Sequence, residues 1–315
     1  MRNQLFVGLS YFAVSVGIFA AEKPVFNRES LSIPADKKVT VTLKDYPGLT
    51  NPNPRGWYYK CANIVLAHDG SLVACFQISD NHLSLTSHIM VARSTDGGRT
   101  WGDYQVISHA NVWEHQAAWV VPQMSVLRDG RLVIICDRGQ RNPGQDWPML
   151  IQWQKPNRGM TNHLFWSGDN GKTWTGPTKI DDVGGEPSYL LEMSNGVLAY
   201  TRTESASTKV LKKPPMPWGN NYYKNVMVLS RDSGKSWNES VVLTDDPFHS
   251  DCEVGLAELE PGHLIAVTRV GYGNGRYGQP SRLGYSEDYG QTWGKPIMAP
   301  FYGQRPHVGK LKSGK

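Results

Sequence analysis

Four copies of one octet, S-x-D-x-G-x-[TS]-W, punctuate the 315 residues of this chain and limit the folds open to it. They run from Ser94 to Trp101, Ser167 to Trp174, Ser230 to Trp237 and Ser286 to Trp293. Their aspartates, Asp96, Asp169, Asp232 and Asp288, stand 73, 63 and 56 residues apart, the mark of a repeat architecture. In each copy Ser and Asp side chains suit hydrogen bonds to nearby backbone N–H groups, Gly supplies a positive φ, and Trp packs the turn onto a sheet. The octet is expected to be a self-satisfied hairpin turn. Its four aspartates then lock turns and carry no catalysis.

A second punctuation alternates with the first. The pairs Asp69-Gly70, Asp129-Gly130, Asn195-Gly196, Pro261-Gly262 and Ser313-Gly314 each follow an apolar run. Further β-rich runs come after the first four: Leu72 to Phe76, Leu132 to Cys136, Val197 to Tyr200 and Leu264 to Val267. Each unit is then two hairpins, as in Ile64 to Leu66, Leu72 to Phe76, His88 to Ala92 and Tyr104 to Ile107. Four antiparallel strands per repeat, stacked radially, describe the blade of a β-propeller. With 19% charged residues, 32 Gly, 20 Pro and 11 Trp, the composition suits such an all-β chain and excludes a coiled coil or a charged disordered tail. The net charge of +5 is spread along the chain without a Lys/Arg cluster, so nucleic acid is not an expected partner.

Arg2, the uncharged run Leu5 to Ala21 and the small Ala20 and Ala21 ahead of Glu22 read as a signal peptide over residues 1–21, hence a secreted or periplasmic protein. The run is diluted by Gly8, Ser10, Ser15 and Gly17, so stable membrane insertion is not expected. Residues 22–57 form an N-terminal segment that could supply a ring-closing strand, and 58–315 the propeller. Cys61, Cys75, Cys136 and Cys252 contain no C-x-x-C pair, and neither metal nor cofactor is expected. Cys61 and Cys75 flank one hairpin, and their disulfide state stays open.

Nine or ten residues ahead of the turn glycines, at the mouth of the innermost strands, stand Lys60, Val120, Glu186, Glu253 and Arg305. Four charges converging there would make a site. Arg202 follows Glu186, and Arg269 follows Glu253, by 16 residues in each case. Such a Glu/Arg pair serves either as a structural ion pair or as a bidentate clamp for a substrate carboxylate.

The octet resembles the Asp-box, or BNR repeat, and one copy per blade over residues 58–315 resembles the sialidase superfamily. That resemblance implies a six-bladed propeller, of which about four blades and one strand lie in this chain. It further implies three arginines on the sugar carboxylate, a Tyr nucleophile assisted by Glu, and an Asp as acid and base. Glu253 is similar to the family's Glu, with Arg269 and Arg305 as its second and third arginines. Lys60-Cys61-Ala62 departs from the family's Arg-Ile-Pro. The loop Asp would fall near Ser84, with Asp80 and His82 as nearby substitutes, and the nucleophile is expected beyond Lys315.

The implied function is a sialidase-like (exo-α-sialidase) glycoside hydrolase acting on terminal acidic sugars of glycans, without a cofactor. Substrate binding falls to Lys60, Glu186, Arg202, Arg269, Arg305 and His82, and catalysis to Glu253 and Asp80. Two alternatives remain open. One is a non-catalytic carbohydrate-binding propeller that stacks sugars on Trp57, Tyr58, Tyr59, Trp113, Trp119, Trp147, Trp153, Trp218, Tyr222 and Tyr223. The other is a propeller mediating protein contacts through the polar loop Lys209 to Asn221.

Overall fold

The apolar runs between Gly turns pair into four separate antiparallel sheets, each of four strands in chain order. The computed structural model describes residues 57–81, 85–140, 159–183, 185–207, 221–271 and 279–310. The expected leader and residues 22–56 lie outside the described residues. Blade 1 comprises β1 (Tyr58–Leu66), β2 (Leu72–Ser79), β3 (Thr86–Ser94) and β4 (Gly102–Asn111), and blade 2 comprises β5 (Ala117–Val126), β6 (Leu132–Gln140), β7 (Met160–Ser167) and β8 (Thr175–Lys179). Blade 3 holds β9 (Leu191–Glu192), β10 (Leu198–Ser207), β11 (Asn221–Ser230) and β12 (Glu239–Asp245); blade 4 holds β13 (Asp251–Glu260), β14 (His263–Val270), β15 (Arg282–Ser286) and β16 (Ile297–Met298). The chain is an all-β propeller of four-stranded blades.

Strands run further than their apolar runs. The Leu72 to Phe76 run continues to Ser79 because Gln77 and Ser79, fully buried, find partners: Gln77 accepts the Val121 N–H and Ser79 donates to the Asn81 carbonyl. A polar residue ends a strand in sequence but not in space when the next blade satisfies it.

The core is a set of layers between blades. Val73, Ile89, Val91, Met124, Leu132, Ile134 and Phe165 fill the space between blades 1 and 2. Val133, Ile135, Leu164, Leu198, Tyr200 and Val228 fill that between blades 2 and 3, and Met227, Leu229, Leu256, Leu264 and Ala266 that between blades 3 and 4. Beyond blade 4, Phe301 and Val308 cover Ala257, Ile265 and Leu283. This last segment occupies the place of a fifth blade's first strand.

All four octets share one hydrogen-bond scheme. The first Ser donates Oγ to the Asp at 2.8 Å and accepts the Gly N–H at 2.8 to 2.9 Å. The second Asp oxygen accepts the Thr or Ser hydroxyl at 2.6 Å. The turn needs two successive left-handed residues, as in Ser233 (φ 60°) and Gly234 (φ 90°), so the position before Gly is also strained. The tryptophan indole N–H closes the loop on the Gly carbonyl at 3.1 to 3.2 Å. The hydroxyl and amide of Ser236, with the Ser230 hydroxyl, hold Asp232 down to about 2.

Asp251 is perturbed in the opposite sense. Burial pushes it up to about 6, against the pull of Arg282 at 2.8 Å and the Thr268 hydroxyl at 2.9 Å. Asp246 and His249 share the same cluster. A carboxyl raised above its unfolded value of about 3.9 contributes stability below that pH and loses it as pH rises through about 6. The octet aspartates, held low by their turn hydroxyls and amides, contribute above their unfolded value and lose it as pH falls through their depressed pKa, about 2 for Asp232. Asp251→Asn is therefore expected to flatten the decline in urea midpoint between about pH 4 and 6 while leaving the acid limb in place. An unchanged slope would contradict this assignment.

Candidate active site

In each blade the first and third strands run the same way, so the Gly turn and the octet share one end and the first strands begin at the other. First strands of successive blades also adjoin: Asn63 Nδ2 donates to Gln123 Oε1 at 3.3 Å, and Ser125 Oγ to the Leu190 carbonyl at 2.7 Å. The Tyr189 hydroxyl lies between the carbonyls of Leu256 and Val308. Burial pushes its phenol far up, so Tyr189 bridges three inner segments as a neutral donor.

Every inner strand opens with the same irregularity. Cys61, Val121, Glu186, Glu253 and Arg305 all take left-handed backbone, at φ 54, 59, 48, 49 and 49°. The pairing register slips after Lys60, Val120 and Cys252, which identifies β-bulges in three of the blades. A neighbouring blade holds the bulged amide in three cases: Val121 N–H donates to Gln77 Oε1 at 3.3 Å, Glu186 N–H to Asp137 Oδ2 at 2.7 Å, and Arg305 N–H to Glu253 Oε2 at 2.8 Å.

The bulge displaces two of the sequence-derived positions by one residue. Cys61 and Val121, rather than Lys60 and Val120, correspond to Glu186, Glu253 and Arg305. Lys60 stands beside the bulge, half-buried and opposite Gln77, with Nζ 6.0 Å from the centre of the Tyr58 ring. The Cys61 thiol feels Arg305, Lys60, Glu253 and Asp137, which brings residues of blades 1, 2 and 4 and of the fifth inner segment together at the mouth. Burial pushes the thiol up and outweighs both cations, so it stays neutral. All four cysteines are free.

Glu253 is the centre of the charged group. Its Oε1 accepts Arg269 Nη1 at 2.8 Å and lies 4.0 Å from Arg305 Nη2. The glutamate side chain is 12% exposed, Arg269 25% and Arg305 14%, so all three are largely shielded from water. Burial disfavours charged Arg269, but Glu253 and Glu186 more than restore it.

Arg202 does not repeat this arrangement. Its Nη1 meets Asp181 Oδ2 at 3.1 Å and its Nη2 meets Glu204 Oε1 at 2.8 Å; Tyr200 and Asn162 also bond to Asp181. Blade 3 carries ten residues from Glu186 to its turn glycine, Gly196, against nine from Glu253 to Gly262. Counted from those glycines, Arg269 corresponds to Thr203, and side-chain alternation turns Arg202 to the opposite face. Thr203 bonds to Asn225 at 3.1 Å instead.

Asp80 is buried, with Oδ1 accepting the N–H groups of Leu85 at 2.7 Å and Thr86 at 2.9 Å, so it ties down the loop leading into β3. His82 and Ser84 lie outside the described residues. Among the expected aromatic platforms, Tyr58, Tyr59 and Trp113 are exposed, while Trp119 and Tyr223 are buried. Trp119 sits edge-on to Phe165 at 5.5 Å in the layer between blades 1 and 2, which removes it from any sugar-stacking surface. Trp147, Trp153 and Trp218, with residues 209–220, lie outside the described residues. Asp137 escaped sequence reasoning, although the position seven residues after each turn glycine, Gln77, Asp137, Thr203 and Arg269, marks it.

A propeller of Asp-box blades, with an acid and two arginines drawn together at the start of its inner strands, defines a sialidase-type architecture. Residues 70–306 match the BNR repeat-like domain, and the chain belongs to that family. It is 26% identical over 284 residues to a sialidase of Clostridium perfringens, across 85% of this chain and 69% of that protein. A sialidase of Bacteroides fragilis is 25% identical over 328 residues, covering 92% of this chain and 55% of that one. Among solved structures, the NanB sialidase from Streptococcus pneumoniae aligns with a TM-score of 0.58 at 12% identity, over 87% of this chain and 56% of its own. Trypanosoma rangeli sialidase, in complex with 2,3-difluorosialic acid, aligns at 0.54 and 18% identity, over 76% and 37%. This chain thus spans between about a third and two thirds of the length of these proteins.

Proposed function

We propose that this chain belongs to an exported sialidase-like glycoside hydrolase that acts on terminal acidic sugars of glycans. The observation that carries this is Glu253, on the first strand of blade 4, held between Arg269 of the second strand of that blade and Arg305 of the adjoining inner segment, at the end of the propeller away from the octets. The glutamate offsets part of the charge of the two guanidinium groups. A sugar carboxylate entering beside it takes the outward N–H donors of both arginines, with Lys60 as a point charge at the rim. Glu253 then accepts a proton from a Tyr nucleophile, with Asp80 as the candidate acid and base. Export rests on the leader at residues 1–21, and no described helix is long and apolar enough to cross a membrane.

The test is binding of N-acetylneuraminate by saturation-transfer NMR, together with release of a fluorophore from an aryl α-sialoside. Arg269→Ala is expected to weaken binding roughly 10- to 100-fold, the loss of one or two charge-assisted hydrogen bonds. Glu253→Gln should cut turnover far more than affinity. Failure to bind sialic acids and uronates, or binding untouched by Arg269→Ala, would sink the proposal. Exposed Tyr58 and Tyr59 beside Lys60 support a second reading, a carbohydrate-binding propeller, which binding without turnover would favour.

A further inference from the structure

At the junction of blades 1 and 2, on the outer strand but at the same end of the propeller as the mouth, a short turn brings three metal-ligating side chains together. His109 is near the end of β4, and Asn111 starts the turn that follows: its carbonyl accepts the His115 N–H at 3.0 Å and its Oδ1 the Glu114 N–H at 2.7 Å. This folds Glu114 and His115 back onto the strand. One ligand atom from each of His109, Glu114 and His115 lies within 4.8 Å of the others, and the two imidazole centres are 5.1 Å apart.

Two further observations point to a ligand here. His109 and His115 line an open depression of about 570 Å³ together with Trp119, Arg138 and His163. Two residues of that lining, Trp119 and His163, each carry a buried polar atom with no hydrogen-bond partner among the described residues, Nε1 and Nδ1 respectively. Both side chains are more than nine-tenths buried. Such atoms need a water shell or a bound group to satisfy them.

The matching turn between blades 3 and 4 shows what a self-satisfied version looks like. There His249 Nδ1 sits 2.7 Å from Asp246, and Arg282 lies 3.0 Å from the same carboxylate and 2.8 Å from Asp251. In the blade 1–2 turn the neighbouring cation, Arg138, points Nη2 at the His115 carbonyl at 3.3 Å instead. His115 Nδ1 accepts a long bond of 3.3 Å from the Asn111 N–H, and Glu114 Oε2 is 3.9 Å away.

We propose that His109, Glu114 and His115 bind one divalent transition-metal ion of the zinc type, with water or a small anion from the depression completing its shell. Two imidazoles and one carboxylate, with positions left open, suit zinc and its first-row neighbours better than calcium or magnesium, which prefer all-oxygen shells. Tetrahedral ligand atoms at about 2.0 to 2.2 Å from an ion lie roughly 3.4 Å from one another. Rotation of the exposed His109 and Glu114 side chains closes the remaining gap. The ion replaces the weak Asn111 to His115 bond and pins the link between blades 1 and 2. No residue of the mouth takes part, so the site stands whether or not the protein is a sialidase.

The experiment is titration of the metal-free full chain with Co²⁺, read by its visible absorption, followed by displacement with Zn²⁺. One equivalent should bind with bands of a nitrogen- and oxygen-ligated ion. His109→Ala and His115→Ala should each weaken binding roughly 100-fold, and Glu114→Gln about 10-fold. Circular dichroism of the metal-free variants is expected to match the parent, since His109 and Glu114 are exposed. Absence of stoichiometric binding would overturn the site, as would binding that survives both histidine substitutions in folded protein.

Discussion

Replacing Gly255 by alanine is expected to push Arg305 away from Glu253, lowering stability by about 1–3 kcal/mol and weakening acidic-sugar binding in the same variant. Gly255 lies on β13, two residues after Glu253, where the fifth inner segment crosses. A Cβ at this position would stand 2.5 Å from the Pro306 carbonyl oxygen, 3.2 Å from its carbon and 3.3 Å from the Val308 nitrogen. These are backbone atoms, so no side chain can swing aside to relieve the contact. The segment itself must retreat, taking with it the Arg305 N–H bond to Glu253 at 2.8 Å and the Tyr189 bond to Val308. Gly309→Ala, in the same segment with nothing within 4 Å of its Cβ, is the control and should be silent. Urea denaturation and sialic acid titration of the two variants decide the matter. If Gly255→Ala matches Gly309→Ala in stability, the segment does not rest on β13 as described. Loss of stability with affinity retained would instead separate the packing from the proposed carboxylate site.

The parts of the fold legible in the sequence are those set by local contacts. The octet holds its hydrogen bonds within eight residues, so its four copies announce the third-to-fourth-strand turns without any knowledge of neighbours. The candidate site is decided between blades, and it reads less clearly. Nothing in Lys60-Cys61 or Val120-Val121 shows which residue takes the left-handed bulge, because Gln77 of a neighbouring blade holds the Val121 amide. The equal 16-residue spacing of Glu186 to Arg202 and Glu253 to Arg269 conceals one extra residue before the turn in blade 3 and one fewer after it. In a strand that single residue moves a side chain to the other face, and Arg202 meets Asp181 instead. Asp137 went unnoticed because it directly follows an apolar run, Leu132 to Cys136, that needs no charge to form a strand. Its partner, the Glu186 amide, belongs to the next blade.

Of the octet tryptophans, Trp237 should be the costliest to remove. Its side chain belongs to the layer that joins blades 2 and 3, among Leu190, Leu198, Tyr200 and Val228, and only 8% of it is exposed. The ring meets Tyr200 edge to face at 5.2 Å, and its N–H donates to the Gly234 carbonyl at 3.2 Å. Truncation to alanine removes the buried indole and leaves a cavity that two rigid sheets cannot collapse to fill, a loss of about 3–5 kcal/mol. Trp101 makes the same bond to Gly98 but packs on Phe76, Met90 and Tyr104, the face of blade 1 turned away from blade 2. It is less buried than Trp237, so its removal is expected to cost about half as much. Denaturant midpoints of the two alanine variants, measured side by side, test whether the octet acts chiefly as a local turn lock or as a bolt between blades. A local lock predicts equal losses, since the hydrogen bonds within each octet are the same; a bolt predicts that Trp237→Ala is the larger loss.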